Sequence, residues 1–132
     1  MIEGSCCCGA VKFELARAPD MMGTCHCTRC RKTGASTFVT IAKDAFRLVQ
    51  GADAIDSYAP EPGYKYVRNF CGTCGTSLGE ILTQENNVLL PANCLDGDPG
   101  VRNRFHEFVA EKPDWYEICD DAKQFEMHPQ KS

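Results

Sequence analysis

Cys71-Gly72-Thr73-Cys74-Gly75 is the segment around which this chain is organised. Two thiolates on so tight a turn are typical of a zinc knuckle, and Gly75 suits the positive φ that such a turn commonly requires. A closed zinc site takes four ligands, and this segment offers two. The other two must therefore come from elsewhere in the chain.

Cys6-Cys7-Cys8-Gly9 offers the missing pair, because a glycine again follows the second cysteine of a spaced pair. One zinc ion in a closed structural site would then be held by four thiolates: Cys6, Cys8, Cys71 and Cys74. A metal that cross-links these two segments would reduce the conformational entropy of the unfolded chain. The free energy of metal binding would then be part of the free energy of folding. The alternative is that the cysteines of the first pair are small buried residues without a metal.

Cys25-His26-Cys27-Thr28-Arg29-Cys30 differs, because it places three sulfurs within six residues. Three protein ligands leave one zinc coordination position open, as in catalytic sites. Because three thiolates make zinc a mild Lewis acid, a substrate thiol is the natural fourth ligand. The alternative is that Cys94 or Cys119 approaches in space and completes a second closed site.

Length and charge narrow the class of protein. The chain has 132 residues, a length typical of one domain, so we expect a single domain over residues 1–132. A net charge of −4 argues against nucleic-acid binding, which needs a basic surface. No segment is long and apolar enough to span a membrane, and the start shows no secretory signal. We therefore expect a cytoplasmic protein whose clustered cysteines bind metal, in preference to a secreted domain with disulfides.

Short alternating segments predict a mainly β fold of antiparallel strands. Residues 11–15 alternate apolar and polar side chains with the period of two that marks a half-buried strand. Further strands are predicted over 38–41, 46–49, 64–70, 77–82, 88–90, 105–109 and 115–118. Short helical turns are expected over 43–45 and after Asp120, and no sustained helix is expected.

These motifs and their surroundings resemble those of the glutathione-dependent formaldehyde-activating enzyme family, whose domain is shared with centromere protein V. The resemblance runs in order along nearly the whole chain, through residues 4–13, 25–34, 68–76, His106 and 112–115. It implies a β-tent fold stapled by two zinc ions. It places the structural zinc on Cys6, Cys8, Cys71 and Cys74, and the catalytic zinc on Cys25, Cys27 and Cys30.

The resemblance also implies an activity, that of a carbon–sulfur lyase. In the family, formaldehyde joins the thiol of glutathione to give S-hydroxymethylglutathione, which is formally the lyase reaction in reverse. We expect glutathione or a similar small thiol, and formaldehyde or another reactive carbonyl, as the molecules on which this chain acts. The alternative from another class is a non-catalytic, zinc-stabilised interaction module, which the kinship with centromere protein V permits.

Residues beside the three-cysteine motif are candidates for roles beyond metal binding. His26 is the nearest proton donor in sequence, or else orients the loop between two ligands. Arg31 and Lys32 would bind a carboxylate of the thiol, Arg31 through a bidentate contact, or else form a solvated basic loop. Cys7 and Cys94 are extra thiols, expected as small buried residues, with the alternative that one of them lies near the open zinc.

Overall fold

The computed structural model describes residues 1–129, and eleven strands in that part of the chain form three sheets. The first sheet contains, in spatial order, β1 (Ile2–Ser5), β2 (Lys12–Leu15) and β5 (Phe46–Gln50). The second contains β11 (Lys123–Gln124), β10 (Asn103–Glu107), β3 (Met21–Cys25), β4 (Thr37–Ala42) and β9 (Asn87–Pro91). The third contains β6 (Ile55–Tyr58), β7 (Arg68–Cys71) and β8 (Ser77–Gly79).

Helical structure in residues 1–129 is short. One α-helix, α1, spans Thr28–Thr33. Single 3-10 turns cover Lys43–Ala45, Ala52–Ala54, Ala92–Cys94 and Val109–Glu111. Among the described helices, none has the length and apolar character that crossing a bilayer requires.

Most strand pairs are antiparallel, which confirms the prediction of a mainly β fold with antiparallel sheets. The exception is β10, which pairs in parallel with both β3 and β11. In this register His106 lies opposite Thr24, and Glu107 lies opposite Cys25. A late segment of the chain is thereby placed beside the three-cysteine motif.

The hydrophobic core is built from alternate residues of the strands. Phe13 and Leu15 of β2 are fully buried, whereas Lys12 is exposed and Glu14 half-buried, as the period-two pattern predicts. Burial of a side chain as large as Phe or Leu stabilises the fold by roughly 1.5–3 kcal/mol. Cys6 and Cys71 belong to the same buried cluster, so the first cysteine pair and the knuckle meet at the edge of the core.

Some local predictions were wrong. The strand expected over 64–70 begins only at Arg68, and residues 115–118 form no strand. The helical turn expected after Asp120 is replaced by β11, whereas the turn over 43–45 is confirmed. The helix α1 was not predicted, because six residues are too few to show helical periodicity.

Candidate metal centres

Four thiols meet where the chain leaves β1 and β7. The sulfur atoms of Cys6, Cys8, Cys71 and Cys74 all lie within 4.8 Å of one another. The Sγ atoms of Cys6 and Cys8 are 3.6 Å apart, and those of Cys8 and Cys71 are 3.8 Å apart. A tetrahedral zinc with Zn–S bonds of about 2.3 Å has S–S edges of about 3.8 Å. The four-thiol cluster therefore fits a tetrahedral zinc ion in both donor type and size.

Two similar turns shape the four-thiol cluster. The N–H of Gly9 donates to the carbonyl of Cys6 (3.1 Å), and the N–H of Gly75 donates to the carbonyl of Cys71 (2.8 Å). Both glycines have φ near 80°, at 82° and 79°, a conformation that side chains disfavour. Each turn closes a backbone hydrogen bond onto its first cysteine, over three residues in the first turn and four in the second.

Hydrogen-bond donors around the four-thiol cluster favour ionised sulfur. The N–H of Val11 donates to Sγ of Cys6 over 3.2 Å, and the Thr76 hydroxyl lies 3.1 Å from Sγ of Cys74. That hydroxyl, followed by the N–H of Thr76, lowers the pKa of the Cys74 thiol to about 5. The Thr76 hydroxyl also accepts from the N–H of Cys7 (3.0 Å) and so links the two turns.

Three thiols form the second group, here called the three-thiol cluster. The sulfur atoms of Cys25, Cys27 and Cys30 lie within 4.8 Å of one another. Cys25 ends β3, Cys27 is the N-cap of α1, and Cys30 lies within that helix. The N–H of Cys30 donates to Sγ of Cys27 over 3.3 Å. One turn of helix thus folds the spacing Cys-x-Cys-x-x-Cys around a single point.

Charged groups flank the three-thiol cluster. Nη2 of Arg68 lies 3.6 Å from Sγ of Cys30, and Nη1 donates to the Thr33 hydroxyl over 3.3 Å. Glu107 lies opposite Cys25 in the strand pairing, and burial raises the pKa of its carboxyl group although a hydrogen bond with His128 acts in the other direction. Within the cluster, hydrogen bonds from Cys25 and then Cys30 lower the pKa of Cys27, so Cys27 ionises first.

The remaining cysteines stand apart from the three-thiol cluster. Within residues 1–129, neither Cys94 nor Cys119 joins it, so the group has three thiols. Cys94 is buried, as expected, and its thiol donates to the carbonyl of Ser77 over 3.1 Å. The expectation that Cys7 is buried was wrong, since Cys7 is exposed in its turn.

The predicted substrate residues and His26 differ in their surroundings. Arg31 and Lys32 are exposed in the last turn of α1, and their role in binding a carboxylate stays a prediction. His26 is buried, and burial followed by the charge of His106 lowers its pKa. Its ring meets that of His106 edge to edge, with Nε2 of His26 2.8 Å from Nδ1 of His106.

Sequence reasoning missed Arg68, Glu107 and Asp120 as neighbours of the site. Arg68 and Glu107 reach it through β7 and β10, and Asp120 through its contact with His106. No local pattern marks such residues, because each approaches from a distant part of the chain. Only the resemblance singled out His106 and Arg68, and it gave neither a role.

A cavity of about 690 Å³ opens beside the third sheet. Glu80 lines it, and burial raises the pKa of this carboxyl group while the charge of Arg68 lowers it. Arg68 is therefore within electrostatic range of both the cavity and Cys30. The lining residues are Ser57, Lys65, Tyr66, Val67, Asn69, Glu80, Leu82, Thr83, Gln84 and Glu85.

Comparison with known proteins places these features in one family. The family model described as glutathione-dependent formaldehyde-activating enzyme matches residues 1–111. A Halomonas elongata protein, provisionally named as an enzyme of this kind, is 35% identical over 130 residues, covering 89% of this chain and 81% of the relative. A crystal structure of a Rhodobacter sphaeroides protein is similar with a TM-score of 0.56 at 27% identity, covering 73% of this chain and 89% of that chain.

Proposed function

The chain belongs to the glutathione-dependent formaldehyde-activating enzyme family, and on that premise we propose that it is a zinc-dependent carbon–sulfur lyase. It would form or break an adduct between glutathione, or a similar small thiol, and formaldehyde or another reactive carbonyl. The reaction is balanced without a redox partner. A carbon–sulfur bond forms as the carbonyl π bond opens, and the thiol proton is transferred to the carbonyl oxygen.

The observation that carries this proposal is the difference between the two clusters. One has four thiols and is coordinatively complete for a tetrahedral ion, whereas the other has three thiols within 4.8 Å. A zinc ion held by three thiolates retains an open position that favours a thiolate ligand over a thiol. We therefore assign a structural role to Cys6, Cys8, Cys71 and Cys74, and the reactive site to Cys25, Cys27 and Cys30.

Side chains around the three-thiol cluster support the binding of an anionic thiol. The guanidinium of Arg68, 3.6 Å from Sγ of Cys30, favours negative charge at this point. Arg31 and Lys32, exposed at the end of α1, are positioned to meet carboxylates arriving from solvent. Binding through these groups would hold the thiol at the reactive site, and proximity to an aldehyde arriving there supplies much of the rate gain in addition reactions.

The test is formaldehyde consumption with glutathione, measured above the spontaneous rate. The zinc-loaded protein is compared with Cys27→Ser and with Cys119→Ser, whose exposed cysteine lies outside both clusters. We expect a rate increase that Cys27→Ser loses by at least about a hundredfold and that Cys119→Ser retains. Full activity in Cys27→Ser lacking its second metal would overturn the proposal.

The same assay separates catalysis from a purely structural role. If neither glutathione nor another small thiol such as cysteine supports turnover, and both metals resist exchange, the enzyme proposal is wrong. A zinc-stabilised interaction module would then be the better description. Cobalt substitution gives an independent readout, because a thiol entering an open site changes the sulfur-to-cobalt charge-transfer band.

A further inference from the structure

The cavity beside the third sheet is separate from the three-thiol cluster. Arg68 and Asn69 are consecutive residues of β7, so their side chains point to opposite faces of the sheet. Asn69 lines the cavity, whereas Nη2 of Arg68 lies 3.6 Å from Sγ of Cys30. On β6, Ser57 pairs with Asn69 and lines the cavity too. The cavity therefore opens on the face of the sheet that is directed away from α1.

A buried amide holds the wall of this cavity together. Asn69 is only 4% exposed. Its Nδ2 donates to the Ser57 hydroxyl over 2.9 Å, and its Oδ1 accepts from the N–H of Leu82 over 3.0 Å. Three segments, namely β6, β7 and the loop after β8, are thereby fixed to one another. The Ser57 hydroxyl is an acceptor in this contact, so it keeps its own proton to donate into the cavity.

Charges of both signs line the cavity without pairing to each other. The charged lining residues are Lys65, Glu80 and Glu85, and none of them belongs to an ion pair in the part of the chain that the structure describes. Burial raises the pKa of the Glu80 carboxyl group, whereas the charges of Arg68 and, less strongly, Lys65 lower it. Lys65 and Glu80 are thus close enough to interact and far enough apart to admit a small molecule between them.

The unpaired groups define what such a molecule must carry. The Glu80 carboxylate is half-buried, and within residues 1–129 its oxygens accept no hydrogen bond. A partly desolvated carboxylate is stabilised by a charged donor, and an ammonium group is one. The ammonium group of Lys65, 5.0 Å from the centre of the Tyr66 ring, is in turn stabilised by an anion. One ligand that carries both charges satisfies both groups.

We propose that this cavity is a second binding site, for a small ligand that carries an ammonium and a carboxylate group on one carbon, as an α-amino acid does. Glu80 binds the ammonium group, and Lys65 with the Ser57 hydroxyl binds the carboxylate. The remainder of the ligand packs against Val67 and Leu82, two exposed apolar residues of the wall. The volume of about 690 Å³ falls within the range of about 300–1,000 Å³ that small-molecule sites occupy. The site is independent of the proposed reaction.

Titration of zinc-loaded, nitrogen-15-labelled protein with L-leucine tests both binding and its location. We expect saturable shifts in the amide NMR signals of residues 65–69 and 80–85, with a Kd in the millimolar range or below. The absence of saturable shifts up to about 50 mM leucine would overturn the inference. Shifts confined to residues 25–30 would also overturn it, because they would mean that leucine only chelates the metal of the three-thiol cluster.

Two analogues of leucine test whether both charges are recognised. The compound 3-methylbutylamine lacks the carboxylate of leucine, and 4-methylpentanoate lacks the ammonium group. Each should bind at least about tenfold more weakly than leucine, because one charged hydrogen-bonded group is lost. An analogue that binds as tightly as leucine would contradict the proposed recognition of the missing group.

Two variants assign the charges to residues. Glu80→Gln should weaken leucine and 3-methylbutylamine by at least about tenfold and leave 4-methylpentanoate within about twofold, and Lys65→Met should show the converse pattern. Asp53→Asn and Lys12→Met remove exposed charges outside the cavity and should bind leucine like the unaltered protein. The amide spectra show that each variant is folded. Equal losses for both analogues in Glu80→Gln, or a loss in either control, would contradict the assignment.

A further ligand distinguishes two sources of the same chemical group. S-Methylglutathione carries the ammonium and the carboxylate on one carbon of its γ-glutamyl end, and it has no free thiol to bind a metal. Tighter binding of S-methylglutathione than of leucine would identify a γ-glutamyl compound as the ligand of the cavity. Tighter binding of leucine would identify a free amino acid.

Discussion

Cys27 combines two functions in one side chain. Its sulfur belongs to the three-thiol cluster, and it also accepts the N–H of Cys30 as the N-cap of α1. An oxygen or sulfur acceptor at this position satisfies a backbone donor that the helix leaves unpaired. Metal binding and helix capping can therefore be separated by the choice of substitution.

We predict that Cys27→Ser and Cys27→Ala both lose the second metal but differ in stability. Serine is a good N-cap, whereas alanine leaves the Cys30 N–H unpaired at a cost of about 1 kcal/mol. Metal analysis together with urea unfolding measures both effects. Equal unfolding free energies for the two variants would show that the cap at Cys27 contributes nothing.

The free cysteines should differ sharply in reactivity. Cys94 is 4% exposed, and burial, together with the negative charge of Cys6, raises its pKa to about 11. Its thiol is therefore neutral and inaccessible at pH 8, whereas Cys7 and Cys119 are exposed. Mass spectrometry after iodoacetamide treatment should find Cys7 and Cys119 modified, and Cys94 modified only after unfolding. Rapid labelling of Cys94 in the folded protein would contradict this prediction.

Between elements, Gly51 follows β5 and packs against the backbone just after the first cysteine turn. It has φ of 93°, and a Cβ at this position would lie 2.1 Å from the carbonyl oxygen of Ala10. The side chain of the preceding Gln50 donates to the carbonyl of Gly9 over 3.2 Å. The turn after β5 thus packs directly against the backbone beside the four-thiol cluster.

We predict that Gly51→Ala is much more destabilising than Gly63→Ala. Gly63 has a similar φ of 97°, and no atom lies within 4 Å of the position that a Cβ would occupy there. Alanine at Gly63 therefore costs only about 1–2 kcal/mol of backbone strain. Gly51→Ala adds a clash with backbone, for a total of about 3–4 kcal/mol. Thermal unfolding of both variants measures the difference, and similar losses would mean that the Ala10 backbone moves aside freely.

Across the whole molecule, the four-thiol cluster joins residues that are far apart in sequence. Cys8 and Cys71 are separated by 63 positions, whereas the three-thiol cluster lies within a single short segment. A cross-link that closes a loop of that length removes conformational entropy from the unfolded chain. By the relation used for disulfides, this stabilises the folded state by on the order of 4 kcal/mol. The two metals should therefore contribute very differently to stability.

We predict that Cys71→Ser lowers Tm by roughly 10 °C or more, whereas Cys30→Ser lowers it by only a few degrees. Calorimetry with metal analysis checks both variants, and removal of the metal by a strong chelator should reproduce the Cys71→Ser result. Equal shifts in Tm for the two variants would show that the four-thiol cluster contributes no more to stability than the three-thiol cluster.

We also propose that residues 1–132 form a single domain, of which 130–132 lie outside the described residues. Besides the cysteines, the N–H of Asp96 donates to the carbonyl of Glu3 over 2.8 Å, and Gly4 pairs with Leu95. These contacts tie the first sheet to the segment after β9. Fluorescence and circular dichroism should report one coincident unfolding transition; two separate transitions would indicate two units.

The amino-acid sequence was sufficient for features that depend on near neighbours. Alternation of polar and apolar residues predicted β2, and the turn chemistry of Gly9 and Gly75 predicted the shape of the two cysteine turns. The spacing of Cys25, Cys27 and Cys30 predicted that their sulfurs would meet, because one helical turn suffices to bring them together. These features depend on residues that are close in sequence, so they can be predicted without knowledge of the tertiary structure.

Tertiary structure was required for contacts that no local pattern encodes. His106 reaches His26, 80 positions away, because β10 pairs in parallel with β3, and Asp120 in turn reaches His106. Arg68 likewise reaches Cys30 across 38 positions. The pairing register of a strand depends on packing over the whole sheet, so the sequence supplied the thiols, and the folded chain supplied the charged and hydrogen-bonded groups around them.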